Sequence, residues 1–377
     1  MKESSPREWL KASKNKGMSL GLDRVNAALE ALGRPDKSMD CIHVAGSNGK
    51  GSACAHLVAG LVRAGYKVGL FSSPHLIQIE ERVRVDGKSI SSEEFDNALE
   101  RVKDLGHDLT FFEITYLVSL IACKDAGVRI MILETGLGGR LDATRTADVV
   151  GCLVTSISLE HSDILGDTIE KVAKEKAAIW RSGVPMLIRD PGSAKVRNAM
   201  REEAISARFY NPEKSTFMDE AADLAEMLCR MIGYSFVRRP ISWPARMQLI
   251  QGEQNYLLEA AHNPSGMARA IPEIAAILPK KWSLLLGTSP QQNMDDFLSP
   301  IIDLIRKFPP VEIITTEPQN GRYPGVEEPL TGVTHIEKPS VAIESFEEET
   351  ELIVVTGSLY LCGNILSYLG INADIVS

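Results

Sequence analysis

Residues 41–52 read Cys-Ile-His-Val-Ala-Gly-Ser-Asn-Gly-Lys-Gly-Ser and run into a helical pattern. A β-branched run ends there, Gly46, Gly49 and Gly51 allow a tight turn, and Lys50 opens the helix. Small residues let backbone N–H groups approach phosphate oxygens, the helix N-terminus adds partial positive charge, and the lysine adds a full one. The chemistry this suits is nucleotide binding; the plainer reading is a glycine-rich turn with an exposed lysine. The strict pattern G-x-x-x-x-G-K-[ST] is not met, because Val44 stands at its first glycine and Gly51 replaces the hydroxyl that usually meets magnesium. A metal beside this loop must therefore draw protein ligands from elsewhere. A second glycine cluster, Glu134-Thr-Gly-Leu-Gly-Gly-Arg-Leu-Asp-Ala-Thr144, also follows a strand pattern. It is not a dinucleotide fingerprint, since Leu141 stands where a third glycine belongs. A glutamate at a strand's carboxyl end can hold a metal next to phosphates. Taken alone, Glu134 reads equally well as a capping or solvated carboxylate.

These residues need elements to hold them. Short apolar runs at Cys41–Ala45, Lys67–Phe71, Arg129–Leu133, Val149–Ile157, Pro185–Ile188, Tyr256–Glu259, Ser283–Leu286, Glu312–Thr315 and Leu352–Thr356 predict strands. Several are apolar on both faces, the pattern of parallel strands covered by helices. Helical periods at Ser52–Ala64 and Met218–Ile232 lie between them. The alternation predicts an α/β fold. Arg238-Arg-Pro-Ile-Ser-Trp-Pro244 interrupts it, and two prolines so close disfavour a continuing helix. A hinge there divides the chain into 1–240 and a smaller α/β domain over 241–377. The length of 377 residues allows two such domains, and 44% apolar residues suffice for their cores. A net charge of −9 argues against nucleic acid as a partner. No run has the length of a membrane span, and Met1–Pro6 has no apolar signal core. None of the six cysteines forms a CxxC pair. Reduced, buried thiols in a cytoplasmic protein are expected.

The ordered set of motifs resembles the folylpolyglutamate synthase and dihydrofolate synthase family of the Mur ligase superfamily. Beside Gly46–Ser52 it includes Gly21-Leu-Asp-Arg-Val25, Ser72-Ser-Pro-His-Leu76, Glu81-Arg-Val-Arg-Val-Asp-Gly87 and Phe112-Glu-Ile-Thr115. Glu134–Thr144, His161, Leu165–Glu170 and Glu175-Lys-Ala177 follow. Pro244-Ala-Arg246, Ala261-His-Asn-Pro264 and Thr356-Gly-Ser-Leu-Tyr360 complete it, so the likeness covers about residues 20 to 365. The resemblance implies an N-terminal P-loop ATPase domain that also binds the pterin, and a C-terminal Rossmann-like domain that binds glutamate. ATP would phosphorylate a carboxylate of a pterin or folate substrate, and the amino group of L-glutamate would displace the phosphate.

The resemblance also implies roles. Lys50 touches the β- and γ-phosphates, while Gly46, Ser47, Asn48, Gly49, Gly51 and Ser52 wrap them. Ser73, Glu134 and His161 match magnesium ligands, and Lys176 matches a lysine that is carbamylated to serve a second magnesium. Read without the family, His161 is an ordinary histidine and Lys176 an ordinary helix lysine. Asp142 and Ala143 match positions near the pterin, with Phe112 and Thr115 nearby; Phe112 reads equally as core packing. His262 and Ser358 match positions tied to glutamate binding and turnover, and Arg246 matches a hinge arginine that approaches the nucleotide. Nucleotide motifs in one half and glutamate motifs in the other predict domain closure about 238–246. A monomer is expected.

Four departures qualify the likeness. Glu259-Ala260 replaces the family's Asp-Gly, and the longer carboxylate would still reach the ribose or Arg246. Arg145 replaces an asparagine, which predicts an added cation near the acceptor site and favours a more anionic substrate or a different pterin tail. Ser289-Pro-Gln-Gln-Asn293 replaces an Asp-Lys-Asp segment, and Glu160 replaces an aspartate. Arg145 and Glu259 motivate a second reading, a related amide ligase for another carboxylate. A non-catalytic nucleotide-binding protein is the third, and Lys50, Glu134, His161, Lys176 and His262 together argue against it.

Overall fold

The computed structural model describes residues 5–17, 21–212, 216–321, 323–347 and 349–375. Met1–Ser4, part of the segment read for a signal core, lie outside them. The chain forms two compact units. One comprises Met1–His75, Ile79–Ile241 and Ile375–Ser377, the other Leu76–Gln78 and Ser242–Asp374.

The first unit is built on eight strands: β1 (Asp40–Ala45), β2 (Val68–Phe71), β3 (Val83–Val85), β4 (Lys88–Ser89), β5 (Ile130–Glu134), β6 (Val149–Val154), β7 (Met186–Arg189) and β8 (Arg208–Tyr210). Their order is β4-β3-β2-β5-β1-β6-β7-β8. All pairs are parallel except β2 with β3 and β3 with β4. The centre is buried on both faces, and every residue of β5 and all but the first of β1 are buried. The helix Phe111–Asp125 covers one face, where Phe71 meets Tyr116 at 5.8 Å and Phe112 at 5.4 Å. The helix Ile169–Ala177 covers the same face farther along the sheet, where Ala173 and Ala177 pack with Ala45, Cys152 and Val154, and the helices Lys50–Arg63 and Phe217–Ile232 cover the other. This double cover is why these strands read as unbroken apolar runs rather than as alternating ones. The chain leaves β1 for β2 on one side of it and returns across it from β5 to β6 on the other. Such a reversal opens a crevice at the carboxyl ends of the strands. The phosphate loop, Glu134 and the residues after β6 all lie at those ends.

The second unit carries β9 (Gln248–Ile250), β10 (Tyr256–Glu259), β11 (Trp282–Leu286), β12 (Ile313–Thr315), β13 (Thr334–His335) and β14 (Leu352–Thr356). Their order is β13-β12-β11-β14-β10-β9, with only β9 antiparallel to its neighbour. Here the reversal falls at β14, between β10 and β11, so Glu259 and Thr356 end neighbouring strands.

All nine expected strands are present. β3, β4, β8, β9 and β13, two or three residues each, lie at or next to sheet edges and are too short to show a period. The run expected to continue to Ile157 stops at Val154, because Thr155 to Ser158 turn to bond the phosphate loop. The described cysteines are free and buried. Among the described residues no helix is long and apolar enough to cross a membrane.

Candidate active site

Gly49 caps the helix Lys50–Arg63 with φ +86°, a conformation that suits glycine. The N–H groups of a first helical turn have no acceptor within the helix. Gly46, φ +149°, is needed for space as well, since a Cβ there would stand 1.9 Å from Thr155 Oγ1. The loop is latched from β6. Ser47 N–H donates to Ser156 O at 2.7 Å and Asn48 N–H to Ser156 Oγ at 3.2 Å. Thr155 Oγ1 and Ser156 Oγ donate to Asn48 O at 2.7 and 3.0 Å. Ser47 and Asn48 thus spend their N–H groups on the latch, and the helix's first turn is what remains for a ligand. Sequence reasoning missed this latch; the run of hydroxyl residues at the end of β6 was its signal.

Two ammonium groups converge on one carbonyl. Lys50 Nζ donates to Gly46 O at 2.8 Å and to Ser47 O at 3.3 Å; Lys176 Nζ donates to Gly46 O at 3.1 Å. Lys176 is 2% exposed and pairs with Glu160 Oε1 at 2.7 Å. Burial holds the Lys176 ammonium below its usual range against the upward pull of Glu160. Burial drives the Glu160 carboxyl up, but Lys176 and Lys50 outweigh it and hold it below the ordinary value. Among the described residues, Ser52 Oγ, buried in the first turn, has no hydrogen-bond partner. An orphaned buried hydroxyl there, with two cations at the turn, fits a phosphate group.

Glu134 is buried at the end of β5, and its Oε2 accepts from the Ser73 N–H at 3.1 Å. Two expected metal ligands are therefore neighbours, and both offer the oxygen donors that magnesium prefers. His161 is exposed at the start of the short helix Ser162–Leu165, with φ 46°. Among the described residues no group of three His, Cys, Asp or Glu side chains forms a metal-holding cluster.

The loop after β5 uses its polar groups on itself. Asp142 accepts from the N–H groups of Gly136 and Leu137, both at 2.9 Å, and from the N–H and hydroxyl of Thr144. Thr144 Oγ1 and Thr135 Oγ1 lie 2.7 and 3.0 Å from Nε2 of the buried His43. Burial, with Arg181 and Arg145 nearby, pushes His43 well below its usual pKa, so the ring is neutral. Arg181 faces its Nδ1, which places the ring proton on Nε2. Ala143 is buried beside this network. Phe112 packs on Phe71, and its ring fills the space a Cβ on Gly136 would need. Thr115 is buried and donates to Phe112 O at 3.0 Å. Arg145 is the cation expected near the acceptor site. Its Nε donates to Ala178 O at 2.9 Å and its guanidinium to Trp180 O at 3.1 Å. It serves the carbonyls that follow the Lys176 helix, because a helix end leaves carbonyls without partners.

In the second unit Glu259 is 3% exposed, accepts from Met247 N–H at 2.9 Å, and lies 3.7 Å from Arg246. Burial raises its carboxyl to about 7. Thr356 Oγ1 donates to Glu259 O at 2.7 Å and ties β14 to β10. His262 is exposed, and its Nδ1 bonds Ala260 O at 2.9 Å, which leaves Nε2 as the ring's basic nitrogen. Gln291, from the departing segment, donates to His262 O at 3.1 Å. The Ser358 hydroxyl caps the helix Leu359–Tyr368 by accepting from Tyr360 N–H at 3.1 Å.

No protein-family model matches the sequence. The chain is 28% identical to a dihydrofolate synthase/folylpolyglutamate synthase of Bacillus subtilis over 95% of this chain and 97% of that one. It is 42% identical to the Escherichia coli protein of the same name over 48% of this chain and 44% of that one. Among solved structures it is similar to a bifunctional folylpolyglutamate synthase/dihydrofolate synthase with Mn, AMPPNP and L-glutamate bound. The TM-score is 0.84, at 26% identity, over 98% of this chain and 99% of that one.

Proposed function

We infer that this chain, which belongs to the dihydrofolate synthase/folylpolyglutamate synthase family, is an ATP-dependent ligase joining L-glutamate to dihydropteroate, to folyl(poly)glutamate, or to both. The observation that carries this is the convergence of Lys50 and Lys176 on Gly46 O, beside the orphaned Ser52 hydroxyl.

A carboxylate is a poor electrophile, so the acceptor's carboxylate oxygen first takes the γ-phosphoryl group and ADP leaves. The resulting acyl phosphate is attacked by the glutamate amino group. The tetrahedral intermediate expels phosphate, the attacking nitrogen loses its proton, and an amide remains. Most of the protein's work is alignment and neutralisation of charge on oxygen. In this reading Lys50 and the first turn of its helix hold the phosphates, with Ser52 donating its hydroxyl. Ser73 and Glu134 hold magnesium, with His161 as the third donor. When bound, the metal supplies positive charge to the phosphate oxygens. A carbamate at Lys176, formed when its amine adds CO2 and loses a proton, and a second metal site belong to the proposal. His262, through Nε2, serves the glutamate amine. Ser358 and Asp142 act as positioning residues, one at a helix start and the other within its loop. Ala143 and Phe112 line the pterin side. A cytoplasmic monomer acting only on small molecules goes with this reading.

ADP release with ATP, magnesium and L-glutamate tests it, adding dihydropteroate or tetrahydrofolate and weighing the products. A one-glutamate gain on dihydropteroate alone defines a dihydrofolate synthase; on tetrahydrofolate alone, a tail-extending enzyme; on both, a bifunctional one. No gain on either, from folded protein that binds ATP, would overturn the proposed acceptors. The bonds of Arg145 to backbone carbonyls weaken it as support for another acceptor.

A further inference from the structure

Around Arg246 the backbone takes a form that its residues do not favour. Ala245 has φ 56° and Met247 φ 44°, both in the left-handed region. Neither is glycine, asparagine or aspartate, so the residue types do not favour this form, and such residues persist only where their surroundings over-determine them. The surroundings here can be named. Ala245 N–H donates to Gln248 Oε1 at 2.8 Å, and Ala245 O accepts from Ala260 N–H at 2.9 Å. Arg246 N–H donates to Trp243 O at 3.1 Å. Met247 N–H donates to Glu259 Oε2 at 2.9 Å, while Glu259 Oε1 stands 3.7 Å from the Arg246 guanidinium.

One buried carboxylate thus holds both the backbone of the turn and the side chain at its apex. We propose that Glu259, supported by Gln248, is a positioning residue that fixes Arg246 in its working orientation. An aspartate, one methylene shorter, would give up one of the two contacts. The proposal rests on reading Arg246 as a nucleotide-side residue.

The groups facing Glu259 make its hold on Arg246 pH-dependent. They are Arg246 itself, Glu273 from the helix Pro264–Ala275, Cys362 from the helix Leu359–Tyr368, and the N–H groups of Met247 and Ala261. Burial raises Glu259 to about 7, with Glu273 adding to the rise and Arg246 and the N–H groups opposing it. Above that pH the carboxylate is charged and anchors Arg246. As the pH falls through it, the charge and the anchor are lost together.

The test uses the full chain in the ligase assay, with kcat and KM for ATP measured from about pH 5.5 to 8.5. The wild type is compared with E259Q, E259D and R246A. Glutamine keeps an acceptor for Met247 N–H and removes the charge. We expect the wild-type KM for ATP to rise as pH falls through about 7. E259Q should show a KM raised roughly 10-fold without that step, the cost of a misplaced group rather than of a lost fold. E259D should fall between them. Hydrogen exchange at the Met247 amide should stay slow in E259Q and become fast in Glu259→Ala. If R246A is impaired while E259Q and E259D match the wild type in KM and in pH profile, the positioning role is overturned. If R246A itself matches the wild type, the reading of Arg246 fails, and the proposal with it.

Discussion

Two glycine-rich loops follow neighbouring strands of the first unit, one after β1 and one after β5. In composition they are alike, and in use they are opposite. The loop after β1 is tied down at its rim by Thr155 and Ser156, and the turn it leads into keeps the buried Ser52 hydroxyl without a protein partner. The loop after β5 folds its polar groups inward, with four hydrogen bonds ending on the Asp142 carboxylate. A loop that leaves donors unspent is built to bind, because an unmet buried polar group is costly until a ligand satisfies it. A loop that satisfies itself is built to position what it adjoins, here Glu134 at its start and the Lys176 helix packed against Gly139 and Arg140. Damage to the first should therefore fall on ligand affinity and turnover, and damage to the second on stability.

The largest effect should come from Lys50→Ala. Among the described residues its ammonium hydrogen-bonds only carbonyls of its own loop, Gly46 O and Ser47 O, so its loss costs the fold little. We expect ADP production to drop about 1000-fold, the scale for removing a charge-stabilising donor. The thermal midpoint without ligand should stay close to wild type. A large fall in that midpoint with turnover retained would erase the distinction between the loops.

Gly46→Ala should come next and sharpen the comparison. The new methyl would stand 1.9 Å from Thr155 Oγ1, so the latch must shift and the first turn shifts with it. The expected result is loss of stabilisation by ADP in a thermal scan, with partial recovery in the double variant carrying Thr155→Ala. Recovery is only partial because the Thr155 Cβ and N would still lie at 3.0 and 3.2 Å. Full ADP stabilisation in the single variant would show that the latch does not set the loop.

What the sequence disclosed divides along the same line. The phosphate loop was legible because glycine at fixed offsets between strand and helix has a steric meaning that survives without coordinates. The central strands were legible because burial on both faces writes itself as apolar runs. Arg145 drew notice because it replaces the family's asparagine, and only the fold shows its bonds to Ala178 O and Trp180 O. Arg181 and His43 passed unnoticed for the same reason. The contacts that join them to the network span the chain, Thr144 at 2.7 Å from His43 and His43 at 3.3 Å from Arg181. The turn around Arg246 was illegible in its geometry, because Ala245 and Met247 carry no left-handed signature.

The smallest effect should be that of Arg145→Asn, and it bears on both loops at once. The guanidinium bonds Ala178 O and Trp180 O, and burial lowers its pKa below the usual arginine value. Asparagine is too short to reach both carbonyls, so at least one loses its partner. Charge-assisted hydrogen bonds of this kind contribute about 2 kcal/mol, which should appear in the denaturant midpoint with an unchanged slope. Turnover per folded molecule should change little, and the ratio of rates on dihydropteroate and tetrahydrofolate should not move. A changed ratio at unchanged stability would return Arg145 to the acceptor site and make the loop after β5 a binding loop as well. The predicted result, stability lost and preference kept, would show that a charged residue inside a ligand-binding motif can serve the helix behind it.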